Sequence, residues 1–298
     1  MRALAWLRAS QAILFEASIV PAFVGAAAAV GAGAMFRPEY LVLILMSLVG
    51  IQAGANLFKG YYEGLGRSVP PSSPGTWFAF DSGAAIGLTR NPRTVLRAGG
   101  ACFAVGVVTG LALVAITANL ALLAFGLGGA VLAWSYSSPP LRLSFRGIGE
   151  ISTFLAFGPI MTIGATVVFG GAGIESSVFA SAILGFLAAA ISFARYFPNR
   201  EEDLAKGKRT PVTLLGVPRA LRAFLGLLLA PYLVGVLWLV RGGGLFWVPV
   251  LAVFDLLIVR SLPRTAGPSE RYGPVIAWTI AGHLFVGAAL VVGLAFGL

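Results

Sequence analysis

Runs of about twenty apolar residues, the length needed to cross a bilayer, recur along almost the whole chain and leave few ways to fold. About nine qualify by that criterion, over 11–34, 40–62, 97–117, 119–137, 149–171, 176–197, 220–240, 244–261 and 275–297. Their side chains cannot all find a core in a chain of 298 residues. Only 11% of residues are charged, against about 25% in soluble domains, so a water-facing surface could not be covered. The expectation is an all-α integral membrane protein, one domain over 1–298, with about nine transmembrane helices. Stretches such as "GAAAAVGAGA" let helix backbones approach closely in lipid, which fits a compact bundle. Met1–Ser10 carries Arg2 and Arg8 before an apolar run, as a signal peptide would. Glu16 interrupts that run, and the segment reads as a retained first helix.

The net charge of +10 first suggests an acidic partner such as nucleic acid. Its placement says otherwise. When the connections are assigned alternately to two sides, every Lys and Arg except Arg37 and Arg241 falls on the side of the N-terminus. That is the positive-inside pattern. It puts the N-terminus in the cytoplasm and, for an odd helix count, the C-terminus outside. The basic charge is thus an orientation device in the cell membrane, and no nucleic-acid partner is expected. The two long connections, from Glu63 to about Arg97 and from Phe197 to about Arg219, are both cytoplasmic and hold five of the 11 acidic residues, so function is expected on that face. The lone Cys102 excludes a disulfide framework, and the lone His283 reads as a helix-packing contact.

Each long connection opens with the same device. In "NLFKGYYEG", Asn56, Lys59 and Glu63 fall at i, i+3 and i+7, one helix face. In "FPNREEDLAKGKRTPVTLLG", Asn199 and Asp203 fall at i and i+4. Both sets end an apolar helix and precede basic residues. Carboxylate and amide oxygens suit a hard cation such as Mg²⁺, which binds substrate phosphates. Neighbouring Lys and Arg suit phosphate oxygens, and an apolar bundle offers room for a lipid tail. The combination points to a site for a lipid diphosphate. The bland alternative is a set of interfacial charges snorkelling from helix ends.

These residues also resemble a known family. "ASIVPAFVGAAAA", "NLFKGYYEG", "SGAAIGLTRNPRTVLRAG", "YSSPPLRLSFRGIGEISTFLAFGPIMTIGA" and "FPNREEDLAKGKRTPVTLLG" resemble, in order, segments of the UbiA superfamily of intramembrane prenyltransferases. The similarity is to the menaquinone-pathway branch that acts on 1,4-dihydroxy-2-naphthoate. It implies nine helices around a central cavity. It also implies transfer of a prenyl chain from a polyprenyl diphosphate, held through Mg²⁺ by two acidic motifs, to an aromatic acceptor of the dihydroxynaphthoate type. Carried over residue by residue, Asn56, Glu63, Asn199 and Asp203 are the expected metal-binding and catalytic positions. Lys59, Arg67, Arg146, Lys208 and Arg209 are the expected diphosphate clamp, and Tyr136 is placed to stabilise an allylic cation through its ring. The chain departs from the family pattern at Lys59, where an Asn is common, and at Gly60 and Asn199, where Asp is expected. Lys59 could set an ammonium where the metal's charge would act.

Other residues stay open. Glu16 faces the cavity or pairs with a basic group, Glu150 sits at a helix start, Asp255 pairs with Arg260 or a neighbouring helix, and Asp81 caps a loop. Two alternative functions remain. One is a divergent UbiA-fold protein with another acceptor, a cyclisation or inactive lipid binding. The other is a small-solute transporter, against which the one-sided placement of the polar sets counts.

Overall fold

The structure is a computed structural model and describes residues 2–64, 91–263 and 269–297. Arg67 and Asp81 lie outside the described residues. The elements are helical. Among the described residues there is no strand, and one isolated backbone bridge joins Arg146 to Arg209. In chain order the helices are α1 (Arg2–Ala9), α2 (Glu16–Gly31), α3 (Pro38–Gly64), α4 (Arg93–Thr117), α5 (Ala121–Ser135), α6 (Gly149–Val168), α7 (Ile174–Tyr196), α8 (Arg200–Ala205), α9 (Pro211–Leu215), α10 (Val217–Val240), α11 (Val248–Ser261) and α12 (Gly273–Ala295).

Seven of the described helices are long and apolar enough to cross a membrane: α2 with its preceding turn, α3, α4, α6, α7, α10 and α12. Helices α5 and α11 fall on two further expected runs but have only 15 and 14 residues. At 1.5 Å per residue they reach about 22 Å, short of a hydrocarbon core about 30 Å thick. The lipid-facing sides are apolar, as with Val108 at 64% and Leu233 at 68% exposure. Water would penalise such a surface, whereas acyl chains do not.

Close helix contacts come from small residues. A Cβ added at Gly54 of α3 would stand 2.8 Å from the Gly99 carbonyl oxygen of α4, and one at Gly106 would stand 2.6 Å from that of Ser47. Only glycine lets these backbones approach so closely. Helix α6 packs on α7 in the same way through Gly158 and Gly185. Its middle, Ala156–Ile160, widens into a π-helical turn around Pro159, a feature often found beside functional sites. Ala156, Phe157 and Ile160 of this turn line the internal cavity. Helices α2 to α7 enclose that cavity, while α10 packs outside it against α7, α12 against α2 and α7, and α11 against α12.

Candidate active site

The cavity has a volume of about 650 Å³. Its polar end carries Gln52, Asn56 and Lys59 of α3, Tyr136 just after α5, and Arg195 near the end of α7. Its walls toward the other end are apolar, among them Ile44, Leu122, Phe125 and Val168. The amide nitrogen of Asn56 donates to the Ser10 carbonyl at 2.8 Å. It ties the N-terminal segment to α3 and fixes the side chain at the cavity mouth.

One turn further along α3, Glu63 is buried at 5% exposure. Ser137 donates to its Oε1 at 2.8 Å, and Ser144 lies at 3.4 Å from the same oxygen. Its other oxygen accepts from Lys208 Nζ at 3.3 Å. That ammonium also stands 3.7 Å from Asp203 Oδ1. The two acidic motifs, 140 positions apart in number, therefore converge on one lysine. Local chemistry delivers that lysine. Gly207 turns the chain at φ 66°, a left-handed conformation that favours glycine. Lys208 N bonds back to the Asp203 carbonyl at 2.8 Å. Thr210 and Thr213 form a capping box at the start of α9, and the Thr213 hydroxyl donates to the Lys208 carbonyl at 2.9 Å.

The electrostatics follow from burial. Burial pushes the Asp203 carboxyl up to about 6 against the pull of Lys208. Burial works against the Lys208 ammonium, but Glu63 and Asp203 outweigh it and hold that group above the usual lysine range. Asp203 Oδ2 is buried with no hydrogen-bond partner among the described residues. An orphaned carboxylate oxygen, with a second carboxylate held by the same lysine, is a donor set that fits a hard divalent cation. No group of three or more Asp, Glu, His or Cys side chains gathers as a metal site among the described residues.

The expected site residues separate by place. Asn56, Lys59 and Tyr136 line the cavity, while Glu63, Asp203 and Lys208 form the buried cluster beside it. Asn199 starts α8 and is joined to Asp203 through the backbone. Arg146 and Arg209 are exposed on the loops above, where Arg209 N bonds the Phe145 carbonyl at 3.1 Å. The ammonium that reaches both carboxylates is that of Lys208, and Lys59 enters the cavity instead. Sequence reasoning missed Arg195, Ser137 and Ser144. Arg195 lies four residues before Asn199, a spacing that could have flagged it, but it counted only as an inside charge. His283, read as a packing contact, has its Nδ1 2.7 Å from Glu16 Oε2, so Glu16 pairs with a basic group. Asp255 accepts from Tyr232 of α10 at 2.8 Å.

With this geometry in view, the similarities to known proteins take on meaning. The model of the UbiA prenyltransferase family matches residues 89–272, and the chain belongs to that family. It is 29% identical over 227 residues to the chloroplastic 2-carboxy-1,4-naphthoquinone phytyltransferase of Arabidopsis thaliana, covering 71% of this chain and 55% of that one. It is 25% identical over 252 residues to the 1,4-dihydroxy-2-naphthoate octaprenyltransferase of Bacillus subtilis (strain 168), covering 83% and 75%. The chain thus spans about half the length of the plant relative. A UbiA homolog from Archaeoglobus fulgidus bound to GPP and Mg²⁺ shares the fold at a TM-score of 0.67 and 18% identity, over 97% of this chain and 99% of that one. The protein is a multi-pass membrane protein of the UbiA fold.

Proposed function

We propose that this protein transfers a prenyl chain from a polyprenyl diphosphate to a hydroxynaphthoate-type aromatic acceptor within the membrane. The observation that carries the reading is the convergence of Glu63 and Asp203 on Lys208 beside the polar end of an apolar cavity. The naphthoquinone and naphthoate prenyltransferases among its relatives support the acceptor class. The basic connections support a cell-membrane protein with its N-terminus and site on the cytoplasmic face and its C-terminus outside. The whole chain, 1–298, then acts as one domain, with the nine apolar helices as its spans.

In this reading the apolar walls take the isoprenoid tail, and burying its methylenes contributes about 0.8 kcal/mol each. Lys59, Arg195 and Lys208 set positive charge around the diphosphate, where negative charge builds as the C–O bond breaks. Arg146 and Arg209, exposed on the loops, belong to the cytoplasmic rim that meets the diphosphate first. Glu63 and Asp203, with the amide oxygens of Asn56 and Asn199, would hold Mg²⁺, whose charge stabilises the leaving diphosphate when bound. Excluding water protects the allylic carbon from hydrolysis, and the Tyr136 ring faces that carbon as a π donor.

The test uses the purified chain in lipid nanodiscs with Mg²⁺, 1,4-dihydroxy-2-naphthoate and prenyl diphosphates of increasing length, read by mass spectrometry. The expected result is a prenylated naphthalene product and released diphosphate. Diphosphate release with no prenylated ring, or solute flux in liposomes without prenyl transfer, overturns it.

A further inference from the structure

At the polar end of the cavity, four lining side chains carry nitrogen: Gln52, Asn56, Lys59 and Arg195. Three of them are engaged inside the protein. Gln52 donates to the Leu14 carbonyl at 2.8 Å and accepts from the Ser18 hydroxyl at 2.7 Å. Asn56 donates to the Ser10 carbonyl, and Arg195 to Gln11 Oε1 at 3.1 Å. Lys59 is the fourth, and it makes no hydrogen bond or ion pair among the described residues. The carboxylate nearest to it along α3 is Glu63, one turn on, whose oxygens accept from Ser137 and Lys208.

An ammonium set in an apolar-walled cavity without a partner carries its desolvation cost uncompensated. A ligand anion offsets that cost, so Lys59 is a binding group with capacity for one. Its position narrows which anion. Lys59 lies one turn before Glu63, about 6 Å along the helix axis, on the side of the apolar wall. The same lining face of α3 runs on through Ala55, Ile51, Leu48 and Ile44. The diphosphate has Lys208, Arg195 and the arginines of the rim at the level of the two carboxylates. Lys59 stands below that level, where an aromatic acceptor meets the first carbon of the prenyl chain. Tyr136, whose ring is assigned to that carbon, lines the same end. A hydroxynaphthoate brings a carboxylate to this place, and burying it among apolar walls requires a cation.

We propose that Lys59 binds the carboxylate of the aromatic acceptor and selects acceptors that carry one. The proposal rests on the prenyl-transfer reading above and names the group that discriminates within its acceptor class. An ammonium–carboxylate contact is a charge-assisted hydrogen bond, stronger where water is excluded. It orients the ring as well as holding it. The carboxylate is fixed to one ring carbon, so the edge presented to the prenyl carbon follows from where Lys59 sits. An acceptor of the same shape without the carboxylate leaves the ammonium buried and unpaired, and a site built to pair a charged group rejects such an analogue. From one turn below, the same charge still adds to the field around the diphosphate.

The first measurement needs no turnover. Binding of 1-hydroxy-2-naphthoate to the chain in nanodiscs, without prenyl diphosphate, is compared with that of 1-naphthol, which has the same ring and no carboxylate. Ligand fluorescence reads both, with empty nanodiscs as the blank. The wild-type chain is expected to bind the acid about 10- to 100-fold more tightly, the scale of a hydrogen bond to a charged group. Lys59→Met is expected to remove that preference and leave 1-naphthol binding unchanged, which also reports a folded variant. Lys59→Arg is expected to keep most of the preference. Equal wild-type affinity for the two ligands overturns the proposal. So does an equal loss of both in Lys59→Met without rescue in Lys59→Arg, which makes Lys59 a structural brace. The second measurement is turnover. Lys59→Met is expected to raise KM for 1,4-dihydroxy-2-naphthoate about 10-fold or more, with KM for the prenyl diphosphate changed by less than about twofold. The reverse split, a raised KM for the prenyl diphosphate with acid binding intact, assigns Lys59 to the diphosphate and overturns the proposal. Acid binding that depends on Lys59 with no prenylated product would instead sink the prenyl-transfer reading and leave the carboxylate site standing.

Discussion

Two buried polar clusters within this apolar bundle invite comparison. In one, Lys208 stands between Glu63 and Asp203, each side chain no more than 7% exposed. In the other, His283 of α12 meets Glu16 at the start of α2, at 0% and 14% exposure. Both bring distant parts of the chain together, and both spend desolvation on charge or near-charge. They differ in setting. The lysine cluster lies beside the polar end of the cavity, is fed by two loops and leaves Asp203 Oδ2 without a partner. The histidine pair lies outside the cavity lining, between two helices that already pack through Val20, Val24, Val286 and Leu290. The histidine pair also leaves buried atoms unsatisfied among the described residues, Glu16 Oε1 and His283 Nε2, so what separates the candidate site from a clip between two helices is position beside the cavity and not unsatisfied capacity by itself.

The sharpest way to break the comparison is to remove the central cation. Lys208→Met leaves two carboxylates buried without their shared partner, which costs about 3–5 kcal/mol of stability. Prenyl transfer should fall by about 100-fold or more, the scale of one lost electrostatic stabiliser. Activity per folded molecule, measured after size-exclusion selection, separates the two effects. A Lys208→Met protein that folds and turns over like wild type would place the lysine cluster in the same class as the histidine pair.

The pH profile comes next. Burial raises the Asp203 carboxyl from its ordinary 3.8 to about 6. Between about pH 4 and 6 the folded chain keeps a proton that the unfolded chain has lost. Asp203 therefore contributes stability at the acid end of that window, and the contribution is lost as pH rises through 6. Activity should run the other way, because only the ionised form attracts a cation. We expect kcat/KM to fall about tenfold per pH unit below 6 while thermal stability does not fall with it. Lys208, held above the usual lysine range, stays charged throughout. An activity profile flat from pH 5 to 7 would remove Asp203 from the site.

The histidine pair should respond oppositely to mutation. His283→Leu leaves Glu16 without its partner and should cost about 1–3 kcal/mol. Transfer per folded molecule should change by less than about twofold, since the pair lies outside the cavity lining. The double variant Glu16→Leu/His283→Leu should recover most of the lost stability, because replacing both partners of a buried polar contact by apolar groups of similar shape is often nearly neutral. Melting curves in detergent and nanodiscs read both effects. Loss of activity at retained stability would make the pair part of the catalytic apparatus.

Much of this arrangement was legible before any coordinates. All nine apolar runs fall on helices, seven of them long enough to cross a membrane and two, α5 and α11, shorter, because an apolar segment in lipid must satisfy its backbone internally. The i, i+3, i+7 spacing of Asn56, Lys59 and Glu63 set them on one face of α3, since helix geometry is local. What could not be read was which lysine meets which carboxylate. Lys59 shares the helix of Glu63, yet Lys208, 145 positions away, is the one that bonds it. Glu16 and His283 are 267 positions apart, and no local pattern pairs α2 with α12. Arg195 was hidden differently: a basic residue at a cytoplasmic helix end already had an explanation in the positive-inside pattern. Tertiary closure, not composition, decided these partners.

The smallest expected effect belongs to a third polar contact that belongs to neither cluster. Tyr232 of α10 donates to Asp255 of α11 at 2.8 Å, with both side chains half-buried. Hydrogen bonds between membrane helices average about 0.6 kcal/mol, because a side chain released in lipid finds other partners. Tyr232→Phe should therefore cost well under 1 kcal/mol, and transfer should stay at the wild-type rate, since α10 and α11 pack outside the cavity. Asp255 Oδ1 is buried with no hydrogen-bond partner among the described residues, so an unsatisfied oxygen alone is set here against the criterion that separates the two larger clusters. If Tyr232→Phe or Asp255→Asn lowers kcat, distance from the cavity has been given too much weight. If neither does, an unsatisfied carboxylate marks a working site only where it also adjoins the cavity, as Asp203 does through Lys208.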